Sequence, residues 1–262
     1  MSQPHPAEPL VPRRPPIETT LFDFFKIGPG PSSSHTIGPM KAGNDFVACC
    51  AALPADELAR AAEVRVTLLG SLSATGKGHG TDAAVLAGLL GSRPESCSPE
   101  VLPSLRKDPQ ARHALRLGGR EFFLALEDIC FGPVQHDAPF SNTLRCSLRD
   151  AEDREIFGRE YYSVGGGFIQ WKGWTPPERG RPVHPYGTMR ELHRCLNETG
   201  LTLHELILEN ETAITGMSRP AILERLDDMM DAMYDSVRRG LKGSGRLPGT
   251  LGVWRKAGSL LE

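Results

Sequence analysis

EVRVTLLGSLSATGKGHGTDAAVLAGLLG, residues 63–91, contains both kinds of regular structure in one run. Val64, Val66 and Leu68 alternate with Glu63, Arg65 and Thr67, the pattern of a half-buried strand that ends at Gly70. Residues 71–80 hold Gly76, Gly78 and Gly80 and read as a flexible loop. Thr81 to Leu90 is almost wholly apolar and reads as a buried helix closed by Gly91. A strand, a loop and a buried helix in succession predict an α/β layer, not a helical bundle or an all-β sandwich.

Upstream, Gly28-Pro29-Gly30-Pro31 forces irregular backbone, and a periodic run from Met40 to Leu53 predicts a helix stopped by Pro54. Residues 32–36 therefore sit at a helix entrance. Downstream, residues 92–112 carry four prolines and predict a connection with at most a short helical turn. Strand patterns follow at Phe122–Leu126, Thr143–Leu148, Glu155–Ser163 and Gly165–Ile169, with a hairpin-like Asp150-Ala151-Glu152-Asp153, which together predict an antiparallel sheet. Residues 171–187 are rich in Pro and Gly and place a boundary near 175–187. Beyond it the pattern is helical. Thr188 to Asn197 is followed by Gly200, Thr202 and Glu205 have capping-box spacing, and a third helix runs from about Pro220 to Arg239 between Ser218 and Gly240. Met229, Met230 and Met233 read as an exposed group that packs against more protein, and the last 22 residues as poorly structured. The expected fold class is α+β: residues 1–20 a disordered Pro-rich tail, 21–175 a mixed α/β domain, 176–187 a linker, and 188–262 a partial all-helical segment.

Composition narrows the function. With 262 residues, 39% of them hydrophobic, and 28 glycines, the chain can bury a core and is not a disordered polymer. Lys+Arg number 30 against 32 Asp+Glu, so no excess of positive charge is available for a phosphate backbone and nucleic acid is not an expected partner. No apolar run approaches the roughly 20 residues of a membrane span, and the Pro-rich N-terminus lacks the apolar core of a secretory signal. A cytoplasmic protein without membrane contact is expected. The six cysteines form no C-x-x-C pair and read as free thiols of a reducing compartment.

Three segments can carry chemistry. PSSSHTIGPM (31–40) sets Ser32, Ser33, Ser34, His35 and Thr36 at a helix N-terminus, where free N–H groups favour an anion; a plain N-cap is the competing reading. GSLSATGKGHGTD (70–82) resembles a phosphate loop but has five residues between Gly70 and Gly76, and Gly78 follows Lys77 where Ser or Thr is required. It still presents Lys77, His79, Thr81 and Asp82, a mixture able to bind a carboxylate and move a proton, or merely to cap a helix. In YYSVGGGFI (161–169), Gly165, Gly166 and Gly167 permit close backbone approach to a ligand or make a bulge. Glu209 and Glu211 lie two positions apart on a helix and so face different ways. His136 and Asn142 read as polar loop residues.

FDFFKIGPGPSSSHTIGPMKAG (22–43), GSLSATGKGHGTDAA (70–84), YYSVGGGFI and GRLPGTLGVWRKAG (245–258) together resemble the iron–sulfur-dependent bacterial L-serine dehydratases, in that family's order and over about residues 20–258. The resemblance implies a lyase that converts L-serine to pyruvate and ammonia, an activity of amino-acid catabolism and gluconeogenesis, with a 4Fe-4S cluster and without pyridoxal phosphate. It also implies an N-terminal domain like the allosteric substrate-binding domain of some phosphoglycerate dehydrogenases. Carried over by motif, His35, His79 and Lys77 become catalytic candidates, with His35 or His79 the proton carrier. Ser32, Ser33, Ser34, Thr36, Thr81, Asp82, Gly165 and Gly166 become substrate-binding candidates. The family's cluster cysteines lie in a downstream segment, and none of the six cysteines here matches them, so no metal ligand is assigned. The chain is expected to be a front part of the enzyme, inactive alone, needing the missing segment or a separate α subunit, and able to form a homo-oligomer. A stand-alone module that binds serine or another amino acid is the alternative.

Overall fold

The computed structural model describes residues 14–247 and 252–261. In chain order it holds α1 (Leu21–Phe24), a π-type turn (Ser33–Ile37), α2 (Gly38–Ala51), α3 (Ala55–Arg60), β1 (Ala61–Leu69), α4 (Gly70–His79), α5 (Thr81–Leu89) and α6 (Val101–Lys107). There follow β2 (His113–Leu117), β3 (Arg120–Leu124), a 3-10 turn (Leu126–Asp128), β4 (Ile129–Phe131), β5 (Asn142–Asp150), β6 (Glu155–Gly165) and β7 (Phe168–Trp171). The helices α7 (Met189–Thr199), α8 (Leu203–Thr215), α9 (Arg219–Lys242) and α10 (Ala257–Leu261) complete the described residues. The described residues group into two units: a sheet unit, Lys26–Thr175 with residues 235–247 and 252–261, and a helical unit, Pro176–Tyr234 with residues 14–25.

The sheet unit has an α+β fold. Its main sheet runs β4-β1-β5-β6-β7, and β2 pairs with β3 as a separate hairpin. Alternation in β1 buries Val64, Val66 and Leu68, which oppose Leu148, Cys146 and Leu144 of β5. The sheet is mixed and not purely antiparallel, because the three-residue β4 lies parallel to β1. α2 and α5 add the main helical layer of this core, with Met40, Ala42, Phe46 and the α5 run Ala83–Leu89 all buried. A Cβ on Gly43 would lie 2.7 Å from the Val85 carbonyl oxygen, and one on Gly88 would lie 2.1 Å from that of Met40. The two helices cross with their backbones touching at these glycines.

The stretch expected as a loop, 71–80, is instead α4. Its internal glycines weaken it by about 0.5–1 kcal/mol each relative to Ala, but packing overrides propensity. Leu72 is fully buried, and a Cβ on Gly76 would stand 3.2 Å from both the Phe131 ring and Thr81. Gly80, at φ 76°, ends α4 in the left-handed conformation and starts α5 without a linker.

In the helical unit Thr188 caps α7, and the Glu205 carboxylate accepts the Thr202 N–H at the start of α8. α9 does not end at Gly240 but continues to Lys242. Met229 is buried while Met230 and Met233 are exposed, since Met229 shares an inward stripe with Ile222, two turns away. The expected disordered tail holds a described part, 14–20: Ile17 donates to the Tyr186 carbonyl, and Thr20 is buried as the cap of α1. Residues 1–13 of that tail lie outside the described residues. The final stretch also carries structure, namely α10 and a bridge between Arg246 and Trp254. No helix among the described residues is long and apolar enough to cross a membrane.

Candidate active site

Each of the two polar motifs immediately precedes one of the helices that cross at Gly43 and Gly88. The turn 33–37 leads into α2, and α4 leads into α5, so the crossing sets the motifs side by side. Two buried threonines tie them together reciprocally. Thr81 donates its hydroxyl to the His35 carbonyl at 2.8 Å, and Thr36 donates to the His79 carbonyl at 3.4 Å. Ser163 on β6 is buried and donates to the Ser34 carbonyl at 2.8 Å.

This framework stacks two imidazoles, with the His35 and His79 ring centroids 4.7 Å apart. His35 is buried and has both ring nitrogens engaged. Nδ1 lies 3.0 Å from the Ser34 hydroxyl, and Nε2 lies 3.0 Å from Thr75 Oγ1 and 3.2 Å from Ser71 Oγ. His79 Nδ1 lies 3.0 Å from the Thr75 carbonyl, which can only accept, so this nitrogen carries the proton and the Nε2 lone pair is left available. Burial, and then the proximity of His79, lower the pKa of His35, against a smaller opposing effect of the Ser71 backbone. The neutral form of His35 is therefore the favoured one.

The other expected residues divide between this cluster and its scaffold. Ser32 caps the turn, accepting the His35 N–H at 3.2 Å, and its hydroxyl lies 3.4 Å from that of Ser34. Ser33 supplies the carbonyl that accepts the Gly38 N–H. Thr36 and Thr81 spend their hydroxyl protons on the two backbone carbonyls described above. Lys77 is exposed, with its ammonium 5.3 Å from the centre of the Phe131 ring. Asp82 is buried and already accepts Arg106 at 3.0 Å and the Ala83 N–H at 2.9 Å. Gly165 and Gly166 lie at positive φ where β6 turns into β7, and none of the described residues comes within 4 Å of a Cβ placed on Gly165. Asn142 reaches the Ser163 carbonyl at 3.4 Å, and His136 accepts the Ala138 N–H at 3.1 Å.

Ser71, Thr75, Ser163 and Arg106 were not singled out in the sequence. Ser71, Thr75 and His79 recur every four residues and share one face of α4, a stripe that shows only once 70–79 is read as a helix. In the helical unit, Glu209 pairs with His184 at 2.6 Å. Glu211 is buried: one oxygen accepts the Leu21 N–H at 2.9 Å and the other, Oε1, has no hydrogen-bond partner among the described residues.

Among the described residues no three His, Cys, Asp or Glu side chains are grouped to hold a metal ion. An iron–sulfur cluster needs several thiolates, usually four, converging on one point. Cys50 and Cys146 are buried, and burial pushes the Cys50 thiol up to about 12 and Cys146 up as well. Burial raises Cys49 and Cys97 too. The residues present do not fit such a cluster.

Residues 20–174 match the family model described as "Serine dehydratase beta chain". The chain is 35% identical over 246 residues to L-serine dehydratase 2 of Escherichia coli strain K12, covering 92% of this chain and 53% of that protein. It is 38% identical over 246 residues to the L-serine dehydratase of Streptomyces coelicolor, covering 91% and 53%. The L-serine dehydratase of Mycobacterium tuberculosis is 35% identical over 244 residues, covering 91% and 52%. The chain spans about half the length of the curated relatives it matches.

Proposed function

Because the chain belongs to the serine dehydratase beta chain family, we propose that it is the proton-handling part of an L-serine dehydratase, acting in the cytoplasm with residues that lie outside it. Dehydration of L-serine removes the α-proton and the β-hydroxyl as water and leaves aminoacrylate. Its imine tautomer then takes up water and releases pyruvate and ammonia. In this reading His79 Nε2 accepts the α-proton, and the neighbouring His35 stays neutral so that the imidazolium formed meets no second positive charge. In the same reading the Ser34 hydroxyl, beside His35 Nδ1, meets the polar groups of a small amino acid. The observation that carries the reading is the available lone pair of His79 next to a buried, fully engaged imidazole. The residues present do not fit an iron–sulfur cluster, so no step is assigned to one here.

Calorimetry with L-serine on this chain tests the site. Heat of binding that His79→Ala and His35→Ala both reduce is expected, and unchanged binding in both variants removes the imidazole pair from it. No pyruvate release is expected from the chain alone, even after anaerobic iron reconstitution, and clear turnover would overturn the need for outside residues. The poor fit of the cysteines to a cluster also favours a second reading, an amino-acid-binding regulatory module. That reading is separated by adding the segment of a relative that this chain does not cover: restored pyruvate formation supports the enzyme, and serine binding without it supports the module.

A further inference from the structure

We propose that Thr75 is a positioning residue that fixes opposite tautomers on the two stacked imidazoles. The proposal rests on the reading that this pair handles the proton, and it adds which atom of each ring holds one. Thr75 donates its single hydroxyl proton to the Ser71 carbonyl at 2.9 Å, the backbone oxygen one helical turn earlier. Toward His35 Nε2, 3.0 Å away, the Thr75 oxygen can therefore only accept. The Ser71 carbonyl, acceptor only, lies 3.3 Å from the same nitrogen and makes the same demand. His35 thus carries its proton on Nε2, and its Nδ1 lone pair accepts from the Ser34 hydroxyl. The Thr75 carbonyl meanwhile holds the proton of His79 on Nδ1. One residue, through its hydroxyl and its carbonyl, turns the basic nitrogen of His35 toward Ser34 and leaves that of His79 as Nε2. Neither assignment requires a charge. Without the hydroxyl, His35 could move its proton to Nδ1, lose the bond from Ser34 and offer its lone pair to the Ser71 hydroxyl instead.

The test is nitrogen-15 NMR of histidine-labelled chain above the titration range of both rings, where directly protonated and lone-pair nitrogens have separate shifts. In the wild type, His35 is expected wholly as the Nε2–H form and His79 as the Nδ1–H form. Thr75→Val keeps the shape of the side chain and removes the acceptor. It should raise the ratio of the Nδ1–H to the Nε2–H form of His35 on the order of tenfold, the worth of one neutral hydrogen bond. Thr75→Ser should restore the wild-type spectrum, and near-ultraviolet circular dichroism of all three proteins checks that the fold persists. A wild-type His35 protonated on Nδ1 overturns the proposal, as does a Thr75→Val spectrum unchanged from the wild type, which would leave the Ser71 carbonyl as the holder. If Thr75→Val unfolds, Thr75→Cys replaces it, with the same two outcomes. The spectrum needs no substrate, so failure of the tautomer assignment is distinct from failure of the enzymatic reading, which the serine calorimetry of His79→Ala reports.

Discussion

His35 in the sheet unit and Glu211 in the helical unit are both buried polar side chains, yet their surroundings differ. The imidazole has hydroxyl or carbonyl oxygens in range of both ring nitrogens, supplied by Ser34, Ser71 and Thr75. The carboxyl group of Glu211 has one N–H from Leu21 on one oxygen and, among the described residues, no partner on the other, at 3% exposure. A neutral ring can be satisfied by short side chains from its own turn and from α4, whereas an acid buried with one donor is stable only while it avoids full charge. Burial, reinforced by Asp23, accordingly raises Glu211, against the smaller opposing effects of Leu21 N–H, Arg225 and Arg179. Opposite responses to pH follow for the two regions.

The largest effect is expected from Gly88→Ala, which sharpens the comparison by damaging one side only. Its Cβ would meet the buried Met40 carbonyl at 2.1 Å, and backbone cannot step aside as a side-chain tip can. Overpacking of this kind costs about 3 kcal/mol, less the ~1 kcal/mol that Ala gains over Gly in a helix. Urea unfolding followed at Trp171 should shift, while Glu211-dependent behaviour stays as it was. Next, Thr81→Val removes the donor from the His35 carbonyl with little change of shape, and a buried acceptor left bare costs about 2 kcal/mol in the same measurement. A cost near zero would mean that the corner is not held by satisfied polarity, and the contrast with Glu211 would fail.

The smallest effects are the pH slopes, and their signs oppose. Glu211 is raised above 4.5, so its protonated form is favoured in the fold. Its contribution is complete below that value and is lost as pH rises. Glu211→Gln should therefore gain in melting temperature relative to wild type between about pH 4 and about pH 8. His35 is lowered from 6.5, so its neutral form is favoured and its contribution is lost as pH falls below that value. His35→Gln should lose its disadvantage relative to wild type as the solution is made acidic. Parallel slopes for the two variants would break the comparison.

Much of the sheet unit could be read from residue order alone. Val64, Val66 and Leu68 announced β1, and the apolar run 81–90 announced α5. β4 gave no such signal, because three residues are too short for an alternation and its parallel pairing to β1 is a long-range event. α4 was hidden by its glycines, whose local preference opposes a helix that only burial against Phe131 and Thr81 sustains. The candidate site followed the same division. Ser34, His35, Thr36, His79 and Thr81 stand in compact motifs and could be nominated directly. Ser71 and Thr75 could not, since their relation to His79 is a helical period inside a stretch that reads as loop. Asp82 looked available in sequence and is occupied by Arg106, a partner 24 residues away.

The backbone contact at Gly43 and Gly88 bears on how this protein can be recombined. Neither glycine can be replaced independently of the surface it touches, and each lies in a helix that begins directly after one of the two polar motifs. A chimaera that takes α2 from one homologue and α5 from another would join surfaces that had diverged separately, and the mismatch would displace both imidazoles together. Crossover points are therefore best placed outside residues 32–89, so that the two helices and the side chains they carry are inherited as one block.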